Sequence, residues 1–137
     1  MSIQREWVFG KHKAHLEGSD MLFVRMGGPV GADDARALIN IYRELAAAQP
    51  FFAIMEVSGF AANAEARKVF TQELRQEWFR GMIFVGAGMV ERAVTKAMTV
   101  ALYLAGKWRM DFLYTDTTDQ ARDTVSRLRA KPLSATG

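Results

Sequence analysis

Two histidines, one glutamate at the end of an apolar run and a Gly-Ala-Gly turn are the residues of this chain whose types could do chemistry. His12 and His15 stand three apart on an extended segment. They therefore point to opposite faces and do not form a two-ligand metal pair, and no Asp/Glu cluster completes one. The chain has no cysteine, which removes Cys-ligated zinc, a thiol nucleophile and a disulfide framework. No Ser-His-Asp set has a recognisable spacing, and there is no nucleophile elbow. Asp33-Asp34 is a carboxylate pair, but it falls at a helix start, where the dipole alone accounts for it. No catalytic residue, metal or cofactor is expected.

The remaining polar candidates suit binding. Glu56 and Ser58 follow the apolar run Phe51–Val57, at the end of a strand where ligands and partners gather in open α/β sheets. The bland alternative is that Glu56 caps a neighbouring helix N-terminus or pairs with an arginine, and that Ser58 forms a turn. Asn63 is a good N-cap for the next helix and stands near the same strand end. Gly86-Ala87-Gly88 leads from a strand into a helix, as phosphate-cradling loops do. Glu91 occupies the position where a dinucleotide fingerprint would have its third glycine, and it would repel a pyrophosphate; Arg92 and Lys96 could offset it. Lys107-Trp108-Arg109 puts an aromatic between two cations, suited to gripping a partner or a nucleic-acid base, or else to a tryptophan folded over apolar helix ends. Glu56, Ser58, Asn63, Gly86, Gly88 and Arg92 are thus the candidate partner or ligand contacts.

The elements that would position these residues follow from periodicity. Trp7–Leu16 reads as a strand, weakened at Gly10, and pairs through a Glu17–Asp20 turn with a second strand, Met21–Met26. Gly31–Gln49 is an amphipathic helix with a stripe at Ala35, Leu38, Ile39, Tyr42, Leu45 and Ala46, ended by Pro50. Phe51–Val57 is apolar without alternation, the pattern of a central strand covered on both faces. A helix from Asn63 to about Trp78 turns Ala66, Val69, Phe70 and Leu74 inward, and Gly81 is expected to break the chain. Met82–Val85 is another buried strand. The helix from Met89 to Ala105 is apolar on nearly every side in its second half, with Gly106 as the C′ residue. Asp111–Thr115 is a last short strand. Thr117 and Gln120 form a capping box for a final helix lined by Ala121, Val125 and Leu128. The order is β-β-α-β-α-β-α-β-α, an α/β fold with right-handed crossovers and a mixed, mainly parallel sheet.

At 137 residues the chain is expected to be a single domain spanning 1–137, with frayed tails at 1–5 and 132–137. The formal net charge of +3 is mild and does not argue for nucleic acid. No stretch has the length and apolarity for stable membrane insertion, and the first residues lack the apolar run of a signal peptide. A reducing cytoplasm is the compartment that fits.

The order of elements, with MLFVRMGGPVGADDARAL, FAIMEVSG followed by NAEARKVF, IFVGAGMVERAV and DFLYTDTTDQARDTVSRL, resembles the STAS superfamily. It is most similar to the SpoIIAA-like, anti-sigma factor antagonist branch of stand-alone domains. The resemblance covers Trp7 to about Arg129 and rests on the combined order. It implies a βα superhelix and a non-enzymatic regulatory role through protein contacts. It also implies a phosphorylated serine in an Asp-Ser-Ser-Gly motif at the helix start after the central strand. Here that stretch is Phe60-Ala61-Ala62-Asn63-Ala64-Glu65-Ala66, without serine or threonine, so the switch is not carried over.

Two functions from different classes follow. The first is a regulatory interaction module that binds an unidentified protein partner and itself as a homodimer, through Leu102, Tyr103, Leu104 and Trp108. The second is a carrier or sensor of a small apolar or lipid-like ligand, motivated by Phe51, Phe52, Phe60, Phe70, Trp78, Phe79, Phe84 and Met89. A large apolar cavity would support the carrier, and a tightly packed interior would remove it.

Overall fold

The computed structural model describes residues 3–130. The long strands are β1 (Ile3–Phe9), β2 (His12–Glu17), β3 (Met21–Arg25), β5 (Phe51–Glu56), β7 (Phe79–Val85) and β8 (Phe112–Thr115). Two short strands, β4 (Pro29–Val30) and β6 (Ala61–Ala62), pair in parallel as a separate ribbon. The helices are α1 (Ala32–Ala46), α2 (Ala64–Glu73), α3 (Met89–Leu104) and α4 (Thr118–Ala130). The main sheet runs β1-β2-β3-β5-β7-β8. Its first two pairings are antiparallel and the other three parallel. The mixed, mainly parallel sheet expected from the sequence is present.

β5 lies inside the parallel part, between β3 and β7. Its side chains alternate between two cores. Phe51, Ala53 and Met55 join a large core with α1, α2 and α3, while Phe52 and Ile54 join a smaller one with Ala121 and Val125 of α4. That double coverage is why the strand shows no polar alternation. Each fully buried large apolar side chain contributes about 1.5–3 kcal/mol, so Phe51, Phe52, Ile54 and Met55 make this strand a major source of stability.

Several boundaries differ from the sequence expectation. The segment Trp7–Leu16 is not one strand: β1 and β2 form a hairpin with Phe9 paired to His12. Gly10, at φ 59°, takes the first place of the two-residue loop, which glycine fills without strain. β1 begins at Ile3, within the stretch 1–5 expected to fray; residues 1–2 and 131–137, where the rest of the expected tails fall, lie outside the described residues. α2 ends at Glu73, and a single 3₁₀ turn, Gln76–Trp78, leads to β7. Gly81 does not break the chain but sits inside β7. A Cβ there would lie 3.1 Å from a ring carbon of Phe52 and 3.2 Å from a methyl of Leu128. The glycine is what lets α4 lie close on the sheet.

The helix ends are closed locally. The amide of Gly31 donates to the Asp34 carboxylate (3.0 Å) and that of Gly88 to Glu91 (2.8 Å). Thr117 and Gln120 exchange side-chain-to-backbone bonds at the start of α4, the capping box expected there. Beyond α3, Gly106 has φ 75°, its amide donates to the Tyr103 carbonyl, and the Lys107 amide donates to that of Leu102. This is a Schellman ending.

Among the described residues α4 is the helix that covers its face of the sheet, and it is held there by charge as well as burial. Arg122 donates twice to the buried carboxylate of Glu17, at 2.9 and 3.2 Å, and His15 Nε2 sits 2.9 Å from the same group. Arg129 and Arg80 both reach Asp20. Burial alone would raise the Glu17 pKa, but hydrogen bonds and charge from Arg122 and His15 outweigh it and hold the carboxyl below its ordinary value. A carboxyl with a depressed folded-state pKa adds stability above its unfolded pKa and loses it as pH falls through the folded value. Arg122→Ala should therefore lower stability by about 3 kcal/mol at neutral pH, at the low end for breaking a buried pair because Arg122 is partly exposed. The deficit relative to wild type should shrink as the pH falls through the depressed pKa that Glu17 has in the wild-type fold, because the pairing with Arg122 is lost there. Denaturant melts at pH 7 and pH 3 check this.

Candidate functional site

The carboxyl ends of β3, β5 and β7 open onto one edge of the sheet. Glu56 is a third exposed and accepts from Arg25 Nε at 2.9 Å. Both residues border an open groove of about 430 Å³ shared with Gly28, Ser58 and Gly59. Ser58 and Gly59 make a turn closed by the Phe60 amide on the Val57 carbonyl (2.8 Å), with Gly59 at φ 79°. Ser58 also comes beside Gly86, the next strand's turn. Glu56, Ser58 and Gly86 are thus brought together, with Glu56 already paired and Ser58 shaping a turn.

The other candidates lie apart and serve the backbone. Asn63 Oδ1 accepts from the Ala66 amide at 2.8 Å, capping α2, and its own amide donates to Val30. Gly88 opens α3, but the Glu91 carboxylate occupies the amide that a phosphate would need. Arg92 donates to the Ala87 carbonyl and lies over the Tyr114 ring at 4.8 Å. The repulsive position that Glu91 holds in the sequence is therefore filled by the chain's own carboxylate.

Both histidines are tied into the fold, on opposite faces. His12 is buried; its Nδ1 accepts from the Gly27 amide at 2.8 Å, which leaves the proton on Nε2, 3.5 Å from Asp34. His15 stacks on Phe23, with centroids 5.1 Å apart. Among the described residues no group of three or more His, Cys, Asp or Glu is placed to hold a metal ion. Likewise, no helix there is long and apolar enough to cross a membrane.

The interior has little free room. A cavity of about 30 Å³ lies between the sheet and the helices, lined by Tyr42, Met55, Phe70, Phe84, Met98 and Phe112 among others. Pockets that hold small molecules run to about 300–1,000 Å³, so this space is closer to a packing defect than to a ligand site. The phenol of Tyr42 donates to Met55 Sδ at 3.1 Å, and burial pushes its pKa up.

The expected dimer contact divides in two. Leu102 (0% exposed) and Trp108 (1%) belong to the core. Trp108 packs between Phe79 and Phe112 and donates Nε1–H to the Met110 carbonyl at 2.7 Å, so it is the tryptophan folded over apolar ends and not a surface aromatic. Tyr103 and Leu104 face outward, Leu104 at 77%. With Met89, Val90 and Val100 they account for the large exposed hydrophobics among the described residues except Val8. Sequence reading gave no weight to Met89 or Val90 as a surface, because a helix start beside a glycine turn carries no signal of which side faces the core.

This arrangement is a SpoIIAA-like α/β fold. It is similar to a solved structure titled the anti-sigma factor antagonist SpoIIAA in its unphosphorylated form, with a TM-score of 0.59 and 10% sequence identity over 88% of this chain and 99% of that one. No protein-family model matches the sequence, and no curated protein matches it either.

The capping role assigned to Asn63 is directly measurable. Asn63→Ala should cost about 1 kcal/mol of stability, the usual loss for an N-cap, with no change of oligomeric state. Tyr42→Phe should cost under about 1 kcal/mol, because the hydroxyl gives up only a weak sulfur acceptor. Chemical denaturation of the two variants beside wild type reads both.

Proposed function

We propose that this protein is a non-catalytic regulatory or protein-interaction module of the SpoIIAA-like kind. It works through a protein partner and its own dimer, in the cytoplasm. The observation that carries the reading is the outer face of α3, where large apolar side chains stay in water on a helix whose other face is fully engaged in the core. Such patches mark interaction sites. The fold adds support by likeness, since SpoIIAA is described as an anti-sigma factor antagonist. The groove edged by Glu56 and Ser58, with Gly86 beside Ser58, is the second contact region in this reading, and Gly88, Asn63 and Arg92 at the starts of α2 and α3 are separate candidate contacts. Tyr103 and Leu104 are its dimer contact.

The serine switch has no acceptor at the start of α2, which reads Ala61-Ala62-Asn63-Ala64. Ser58 sits in a turn, and Thr71 donates its hydroxyl to the Arg67 carbonyl within the helix. Mass spectrometry of the protein from its native cells should find both unmodified. The alternative, a carrier of a small apolar or lipid-like ligand, is not favoured by a cavity of about 30 Å³.

The test is solution mass by light scattering. Wild type should run as a dimer and Leu104→Glu as a folded monomer. A monomer in both cases would remove the dimer, and a native pull-down without any partner would then remove the module reading as well.

A further inference from the structure

We propose that the outer side of α3 and its groove against α2 receive an amphipathic helix of a partner protein whose apolar seam is flanked by acidic residues. This rests on the interaction-module reading and specifies the partner. α3 meets the core with Thr95, Met98 and Leu102. On its far side Met89, Ala93, Ala97 and Val100 recur at spacings of four, four and three, which keeps them on one face. Ala93 and Ala97 are small, so a second helix backbone can come close there. Beside them runs an open groove of about 420 Å³ between the two helices, floored by Ala64, Ala97, Met98 and Ala101. A concave trough next to an apolar ridge fits a rod, whereas a flat bilayer would leave the trough unfilled.

Charge selects the rod. Lys68 borders the groove on α2, and Lys96 lies on the opposite flank of the α3 stripe; both are exposed. Neither makes an ion pair among the described residues. The acidic residue of the first turn of α3, Glu91, is turned onto the Gly88 amide. An apolar seam with a cation on each flank is complementary to a seam flanked by carboxylates, as at the edge positions of paired helices. A second copy would set these lysines against the same lysines, a like-charge arrangement. The dimer contact at Tyr103 and Leu104 lies farther along, at the carboxyl end of α3.

The experiment uses the full chain and two labelled synthetic helices. They share a leucine-alanine seam and differ only in having glutamate or lysine on both flanks. Fluorescence anisotropy should show the glutamate helix binding and the lysine helix not. The Lys68→Glu/Lys96→Glu variant changes exposed side chains only. It should bind the glutamate helix at least about tenfold more weakly, a change of roughly 1.4 kcal/mol, and should gain binding to the lysine helix. Ala97→Trp, shown folded by circular dichroism, should bind neither helix. Equal binding of the two helices, binding of neither, or an unchanged preference in the charge-reversed variant would overturn the proposal. So would sedimentation with phosphatidylserine vesicles in place of peptide binding, which would make the face a membrane contact. None of these results touches the Leu104→Glu mass or the native pull-down, so the broader reading stands or falls separately.

Discussion

The two-sided burial of β5 is the constraint on which the rest of the structure depends. A strand with Phe51, Phe52, Ile54 and Met55 cannot leave either face in water, so both need a cover. Right-handed crossovers from β3 to β5, β5 to β7 and β7 to β8 put α1, α2 and α3 on one face. The other face would be bare without α4, the one helix that follows the last strand. The Glu17, Arg122 and His15 cluster and the Asp20 pairs matter for this reason: they fix α4, the helix that covers that side among the described residues, to the hairpin edge.

The polar residues at the strand ends show how a functional-looking motif is absorbed by backbone needs. Helix starts leave amides without partners, and this chain satisfies them with its own side chains: Asp34, Asn63, Glu91 and Thr117. A Gly-Ala-Gly turn that opens a helix could hold an anion only if those amides were free, and the Gly88 amide is not. What the fold leaves unused is apolar surface. α3 is the middle of no bundle, so its second apolar face rests on nothing among the described residues.

Much of the fold was legible in the sequence, and the reasons are local. The periods of α1 and α2, the Thr117–Gln120 cap, the Gly106 ending and the unalternating run at Phe51 each report short-range physics. The misjudged points were those where one glycine has two meanings. Gly10 made a hairpin, because φ 59° admits a two-residue loop. Gly81 stayed in a strand, because its missing side chain makes room for Leu128, a residue far away in the chain. Of the candidate site, the pairing of Glu56 with an arginine and the turn at Ser58 were foreseeable as alternatives. The contact between Glu17 and Arg122 was not, since no spacing rule links residues so distant.

By itself the sequence determined the order of elements, the strand that must be central, the lack of thiol chemistry and the absence of a hydroxyl at the start of α2. These depend on residue type and on neighbours within a few positions. Only the tertiary structure decided which side of α3 is inside. Leu102 and Leu104 are equally apolar and two residues apart, and helical geometry sends them in opposite directions. Which direction is the core follows from where the sheet lies and from Trp108, which folds back against Phe79 and Phe112. That choice buries Leu102, leaves Leu104 in water and creates the surface on which the function proposed for this protein rests.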